Sequence, residues 1–331
     1  AQHAERTMRR PSNRFRVGGL TMKAWSLLLT VFLVAIQTAG AFSSTPAVQR
    51  VVLRGGFNSI LGGYAAAGLG FGLSAGTLLI LGATFTETLG LEPLLSLEST
   101  ANLGSGWSVS LTASRGDIVG SYRVDRLPEV SLTYGRAIPG TLLNLGLEAG
   151  VGYFAVHPTG ARGVRGVLAA QLGTSPIHLG PVLTANISTG YRQYLYADRA
   201  PHGAWWTSIQ LSATPLSAVT TTVTYFRQDI TGASPLLFDA MGNAHHVAGS
   251  ATFRLGQTVT VQHSQTYDLV SRTIAARAYS VTLSFVRGQT AGVGWDDILR
   301  SVSISYSRPD LGAFVVAWEI PTQRISFSFT R

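Results

Sequence analysis

LLNLGLEAGVGYF, residues 142–154, decides how this chain folds. Leu143, Leu145, Leu147, Ala149, Val151 and Tyr153 share one parity, and Asn144, Gly146, Glu148, Gly150 and Gly152 share the other. Side chains alternate across a strand, so the stretch is a ribbon with one apolar face and one small, polar face. WSVSLTAS (107–114) and VSLTY (130–134) repeat the pattern, as do VLTANISTGY (182–191), TSIQLSA (207–213) and TVTYF (222–226). YSVTLSF (279–285), RSVSISYS (300–307), GAFVVAWEI (312–320) and RISFSFTR (324–331) continue it. Turn signals separate the runs: Pro139-Gly140, Thr174-Ser175-Pro176, Thr214-Pro215, Ser307-Arg308-Pro309-Asp310 and Pro321-Thr322.

The spacing predicts one all-β domain over residues 60–331 with about 14 strands (range 12 to 16), and no linker divides it. The polar faces carry mostly Ser, Thr, Gly, Asn and Gln, with scattered Arg and Glu. That composition suits an enclosed aqueous lumen better than the bulk-facing side of a sandwich. Tyr191, Tyr194, Tyr196, Trp205, Trp206, Tyr225, Phe226, Tyr306 and Trp318 fall near strand ends, where interfacial girdles are expected. The expectation is therefore an antiparallel transmembrane β-barrel in a bacterial outer membrane.

Bulk composition agrees. The 331 residues are 46% hydrophobic but only 12% charged, with 37 glycines and no cysteine. A soluble domain averages about 25% charged residues. Residues 22–41 read as a signal peptide: Met22-Lys23 supplies the positive start, Ala24 to Ile36 the apolar core, and Ala39-Gly40-Ala41 the small residues before cleavage. Residues 1–21, Arg-rich and upstream of Met22, read as a non-native extension or an over-extended gene start, and 42–59 as a short periplasmic lead-in. The net charge of +9 comes largely from this leader. Removing the six basic residues and one acid of 1–41 leaves 19 basic and 15 acidic side chains, a net of +4. Nucleic acid is therefore not expected as a partner.

Residues 60–90 run uncharged from Asn58 to Thr86, which also admits a membrane helix. Gly68, Gly70 and Gly72 would each cost a helix about 1 kcal/mol, so two strands turning near Ser74-Ala75-Gly76 fit better. GLGFG (68–72) lacks the βαβ context of a dinucleotide fingerprint.

No constellation points to catalysis. Outer-membrane phospholipases and lipid A deacylases carry a Ser two residues after a His, and no His here does. His263-Ser264 and His245-His246 are adjacent, so a strand sends each pair to opposite faces, and no ligand set with metal spacing accompanies them. Asp296-Asp297 lacks the His-Asp partner of the omptin proteases. No enzyme, cofactor or metal is expected.

Arg115, Arg123, Arg126, Arg136, Arg162, Arg165, Arg192, Arg227 and Arg254 fall on polar faces or near strand ends. A charge at the lipid-facing midplane costs about 2–4 kcal/mol, so these residues are expected in the lumen or at the rim. Arg115, Arg136, Arg192 and Arg227 are the principal candidates, with Glu98, Glu129, Glu148 and Glu319 as partners across the lumen. Unpaired, the arginines would favour anions or grip phosphorylated headgroups.

VTYFRQDITGASPLLFD (223–239), then Tyr267-Asp268-Leu269 and a closing series of short strands, resembles the C-terminal barrel of the lipopolysaccharide-assembly outer-membrane protein family over residues 220–331. The resemblance implies lipid insertion through a lateral gate between first and last strands, with a plug lipoprotein inside. The Gly-rich first strands and Pro321 fit a weak closing seam. The family's periplasmic lipid-receiving domain and disulfide cysteines have no counterpart here.

The reading is a non-enzymatic barrel for transport or for lipid or glycolipid assembly. The alternatives are a passive porin with an Arg-biased, anion-preferring lumen and a structural or adhesion barrel with a filled lumen. Expected partners are outer-membrane lipids, the barrel-assembly machinery, and a plug lipoprotein or second barrel copy. Ile325, Phe327 and Phe329 form the expected assembly signal, although Thr330 and Arg331 follow the last aromatic.

Overall fold

The computed structural model describes residues 48–58, 61–74, 76–119, 122–197, 199–322 and 324–330. The expected signal peptide and the extension before it lie outside the described residues.

Eighteen antiparallel strands close into one barrel, and a two-residue strand sits at one hairpin. In chain order they are β1 (Val48–Asn58), β2 (Gly62–Ser74), β3 (Thr77–Thr86), β4 (Gly90–Gly104), β5 (Trp107–Val119) and β6 (Tyr122–Ala137). Next come β7 (Leu143–His157), β8 (Arg162–Thr174), the short β9 (Ile177–His178), β10 (Leu183–Tyr196), β11 (Arg199–Leu216), β12 (Val219–Thr231) and β13 (Ala244–Leu255). β14 (Val259–Asp268), β15 (Thr273–Ser284), β16 (Thr290–Asp296), β17 (Ser301–Arg308), β18 (Gly312–Glu319) and β19 (Arg324–Thr330) complete the wall.

The count of about 14 is therefore too low. The strands that escape the pattern have blurred alternation. β4 holds Pro93, and β6 bulges between Arg126 and Glu129, across Leu127-Pro128. β14 shows polar His263 and Gln265 on the parity of Val259 and Val261. β1 forms inside the stretch expected as a lead-in, with paired glycines at 55 and 56. Residues 60–90 are two strands, β2 and β3, turning at Gly76 (φ 92°). Among the described residues no helix is long and apolar enough to cross a membrane.

Each strand pairs with its sequence neighbour except at two places. β8 pairs β10 past the short β9, and β1 pairs β19 to close the ring. Among the described residues that seam has four ladder pairs, Val52–Thr330 to Gly55–Phe327, against ten between β1 and β2. Phe327 packs across Gly55, where an added Cβ would meet its ring at 2.6 Å.

Register assigns the two faces. Leu147, Val151, Leu168, Ile209, Leu211, Val223, Val293 and Ile304 all point outward, each at least 38% exposed, and form an apolar band. Exposed apolar area on this scale is stable only against lipid. Outward aromatics flank the band, with Trp107 against Tyr134 (ring centroids 4.8 Å) on one side and Tyr191 against Trp205 (6.2 Å) on the other. The expected girdle is only partly correct, since ladder parity turns Tyr194, Tyr196, Trp206 and Phe226 inward. Wall height varies as well: β11 has 18 residues, whereas β16 to β19 have seven or eight each.

Candidate functional site: a latched loop in a polar lumen

Opposite the rim that carries Val48 and Thr330, the segment 232–243 joins β12 to β13. It is the longest connection among the described residues, and it folds back into the lumen. Its single 3-10 turn, η1 (Leu237–Asp239), places Leu236 in an apolar cluster with Val124, Phe154 and Val156, all 2% exposed or less. Phe238 packs on Phe154 with ring centroids 5.4 Å apart. An apolar plug seated on inward apolar wall residues leaves water and stays in place without covalent help.

Arg165 of β8 is the latch. Its guanidinium donates to Asp239 at 3.0 Å and to Glu129 at 2.8 Å. It also sits over the rings of Phe154 (4.2 Å), Tyr194 (4.9 Å) and Phe238 (5.4 Å). One planar cation thus joins wall to loop through two carboxylates and three aromatic faces. Asp239 is held again by the Ser234 hydroxyl, and the Tyr196 hydroxyl lies 2.8 Å from Ser234 Oγ.

His202 of β11 anchors the other end of the loop. The Met241 N–H donates to its Nε2 at 3.1 Å, and its Nδ1 lies 3.1 Å from the Thr231 carbonyl. A carbonyl only accepts, so the geometry assigns a neutral ring with the proton on Nδ1. Gln228 Nε2 donates to the Gly242 carbonyl at 2.8 Å.

Below the loop lies a niche of about 530 Å³. The Arg192–Glu148 pair (2.5 Å) forms one side, and Trp206, Gln171, Gln228 and Met241 form the others. On the far wall the lumen is neutral and hydroxylated, with Gln262, Ser264, Ser280 and Ser303 around a second hollow of about 400 Å³.

The residues expected at the site divide. Arg192, Glu98, Glu129 and Glu148 face the lumen, and Glu319 shares that parity at the rim, where Thr322 donates to it. Each of the first three acids has a cation: Arg50 for Glu98 (3.5 Å), Arg165 for Glu129, and Arg192 for Glu148. Arg115, Arg136 and Arg227 are not luminal. They share parity with outward Leu95, Leu145 and Thr207, and Arg227 pairs with Asp229 at 2.9 Å on that outer face. Arg123 is buried instead, 3.4 Å from Glu92 and 3.8 Å from Asp125. Asp239, His202 and Trp206 were missed as a set. The ASPLLFD segment carried the one available signal, an apolar run in a loop that should be polar. Ile325 and Phe327 face outward at the seam, as their alternation implies.

Fold and lumen together define a transmembrane β-barrel with a polar interior narrowed by its own loop. No family model and no curated protein matches the chain. Among solved structures it is similar to the siderophore receptor PirA from Pseudomonas aeruginosa, at 10% identity and TM-score 0.41 over 81% of this chain and 61% of that one. It is also similar to the outer membrane channel DcaP of Acinetobacter baumannii, at 9% and 0.30 over 85% and 94%. A third is OmpT, an outer membrane protein of Vibrio cholerae, at 9% and 0.31 over 85% and 93%. At these scores the likeness extends no further than the barrel.

Proposed function

We propose that the chain is a non-enzymatic outer-membrane channel for small polar solutes, throttled by its 232–243 loop. The observation that carries this reading is the Arg165–Asp239 latch, which seats the loop against one side of the lumen. The opposite wall keeps its Ser and Gln lining, so a water path past the loop has polar surface to follow. Pairing of Arg50, Arg165 and Arg192 with carboxylates argues against a strongly anion-selective lumen. Planar-bilayer recording of the refolded chain tests the reading. Small, weakly selective openings are expected. Silence from both the native chain and Arg165→Ala would remove it.

A second reading, lipid or glycolipid insertion through a lateral opening, is favoured by the four-pair seam between β1 and β19. Leu53 and Phe329 are ladder partners there, and the chain has no native cysteine. A Leu53→Cys/Phe329→Cys disulfide locks the seam. Lateral insertion predicts an envelope-lipid defect from the locked form, with solute conductance preserved. A lumen channel predicts no such defect.

A further inference from the structure

Trp206 is the feature that the channel reading leaves unexplained. Ladder parity sends Trp107, Trp205, Trp295 and Trp318 outward, where indoles belong at a membrane interface. Trp206 alone among the described tryptophans points into the lumen, beside Gln171, Gln228 and the Arg192–Glu148 pair. An indole in a wet lumen gives up the burial that usually stabilises it. Its place is built for it nonetheless. The neighbouring strand has Gly190 at the facing position, and a Cβ there would meet two ring carbons at 2.7 and 2.9 Å. The indole is therefore laid across β10 at Gly190.

Planar hydrogen-bonding groups surround it at one level. Gln171 and Gln228 are its lateral neighbours along the ladder, and the Arg192–Glu148 pair lies one step along the strands. No partner is assigned to the Gln171 amide or the Trp206 indole N–H among the described residues, so both keep their hydrogen-bonding capacity for the lumen. Gln228 spends one amide N–H on the Gly242 carbonyl and keeps its oxygen. An apolar plate framed by amides and a self-neutralised ion pair fits a ligand with one C–H face and an equatorial rim of hydroxyls. That is the surface of a pyranose ring. Net neutrality of the frame favours an uncharged sugar, and about 530 Å³ is within the range of small-ligand sites.

We infer that Trp206, with Gln171, Gln228 and the Arg192–Glu148 pair, is a stacking subsite for neutral oligosaccharides inside the lumen. The assignment rests on the channel reading, because the sugar reaches the niche only through the lumen.

Two measurements separate the two ideas. The refolded full chain, in an amine-oxide detergent that carries no sugar, is titrated with maltohexaose and followed by tryptophan fluorescence and calorimetry. Saturable binding is expected, weakened at least about tenfold in Trp206→Ala, less so in Trp206→Phe, and reduced in Gln171→Ala. In planar bilayers the same sugar is expected to interrupt the ion current, with dwell times shortened in Trp206→Ala. A conducting channel that shows neither binding nor interruption overturns the subsite and leaves the channel intact. Equal affinity in Trp206→Ala overturns it as well. Binding without any conductance overturns the channel reading and keeps the sugar site.

Discussion

The Arg165 guanidinium lies 3.0 Å from Asp239, and this contact ties β8 to a loop 74 residues further along the chain. Both side chains are almost wholly buried, so removing one partner strands the other charge. Arg165→Ala is expected to destabilise the barrel by about 3–5 kcal/mol and to free the loop. Single-channel conductance should rise and its open-state noise increase. Adding Asp239→Ala should recover part of the stability but not the seated loop. A double-mutant cycle on thermal unfolding checks the first point, and the recordings check the second.

His202 tests the loop from its other end. His202→Ala removes the part-buried hydrogen bonds to the Met241 N–H and the Thr231 carbonyl, at a cost of about 0.5–1.5 kcal/mol for each. Proteolysis within 240–243 should become faster while the barrel stays resistant. Unchanged cleavage in the variant would count against His202 as an anchor.

Ion selectivity follows from the Arg192–Glu148 pair, which neutralises itself across Ala169. Glu148→Gln frees a luminal cation, so the reversal potential in a salt gradient should move toward anions. Arg192→Gln should move it toward cations. Opposite shifts of similar size are the expected result. A native channel already strongly anion-selective would contradict the paired arrangement.

The seam makes a prediction about assembly. Gly55→Val places branched carbons where the Phe327 ring sits, at the ladder that closes the ring. The yield of heat-modifiable folded barrel on unboiled gels should fall sharply. Gly249→Ala, with nothing within 4 Å of the added Cβ, should assemble normally. Deleting 324–331 removes β19 with Ile325, Phe327 and Phe329, and should abolish assembly.

Period-two alternation made the barrel legible in the sequence, because lipid on one face and water on the other impose the same pattern on every strand. Leu147 and Glu148 could be sorted to opposite faces from 142–154 alone. The strand count was not legible, since Pro93, the bulge at Leu127-Pro128 and the polar outward residues His263 and Gln265 break the period without ending the strand. Arg115, Arg136 and Arg227 were placed in the lumen or at the rim by charge alone. Register turned them outward, and the alternation already carried that placement: Arg115 continues the parity of Trp107, Val109 and Leu111, Arg136 that of Val130, Leu132 and Tyr134, and Arg227 that of Val223 and Tyr225. Asp239, His202 and Arg165 come together only through the closure of the ring, so their meeting depends on topology rather than on spacing.

The uneven wall has a consequence for the lipid around it. Strands of seven or eight residues rise about 3.3 Å per residue and lean about 40°, so β16 to β19 reach about 20 Å across a hydrocarbon layer of about 30 Å. The bilayer beside the seam must compress to meet them, at a fraction of a kcal/mol per ångström, whereas along β11 it relaxes to its resting depth. The protein should therefore gather short-chain lipids on the β16–β19 side. Its folding efficiency should rise as the acyl chains of the host vesicles are shortened.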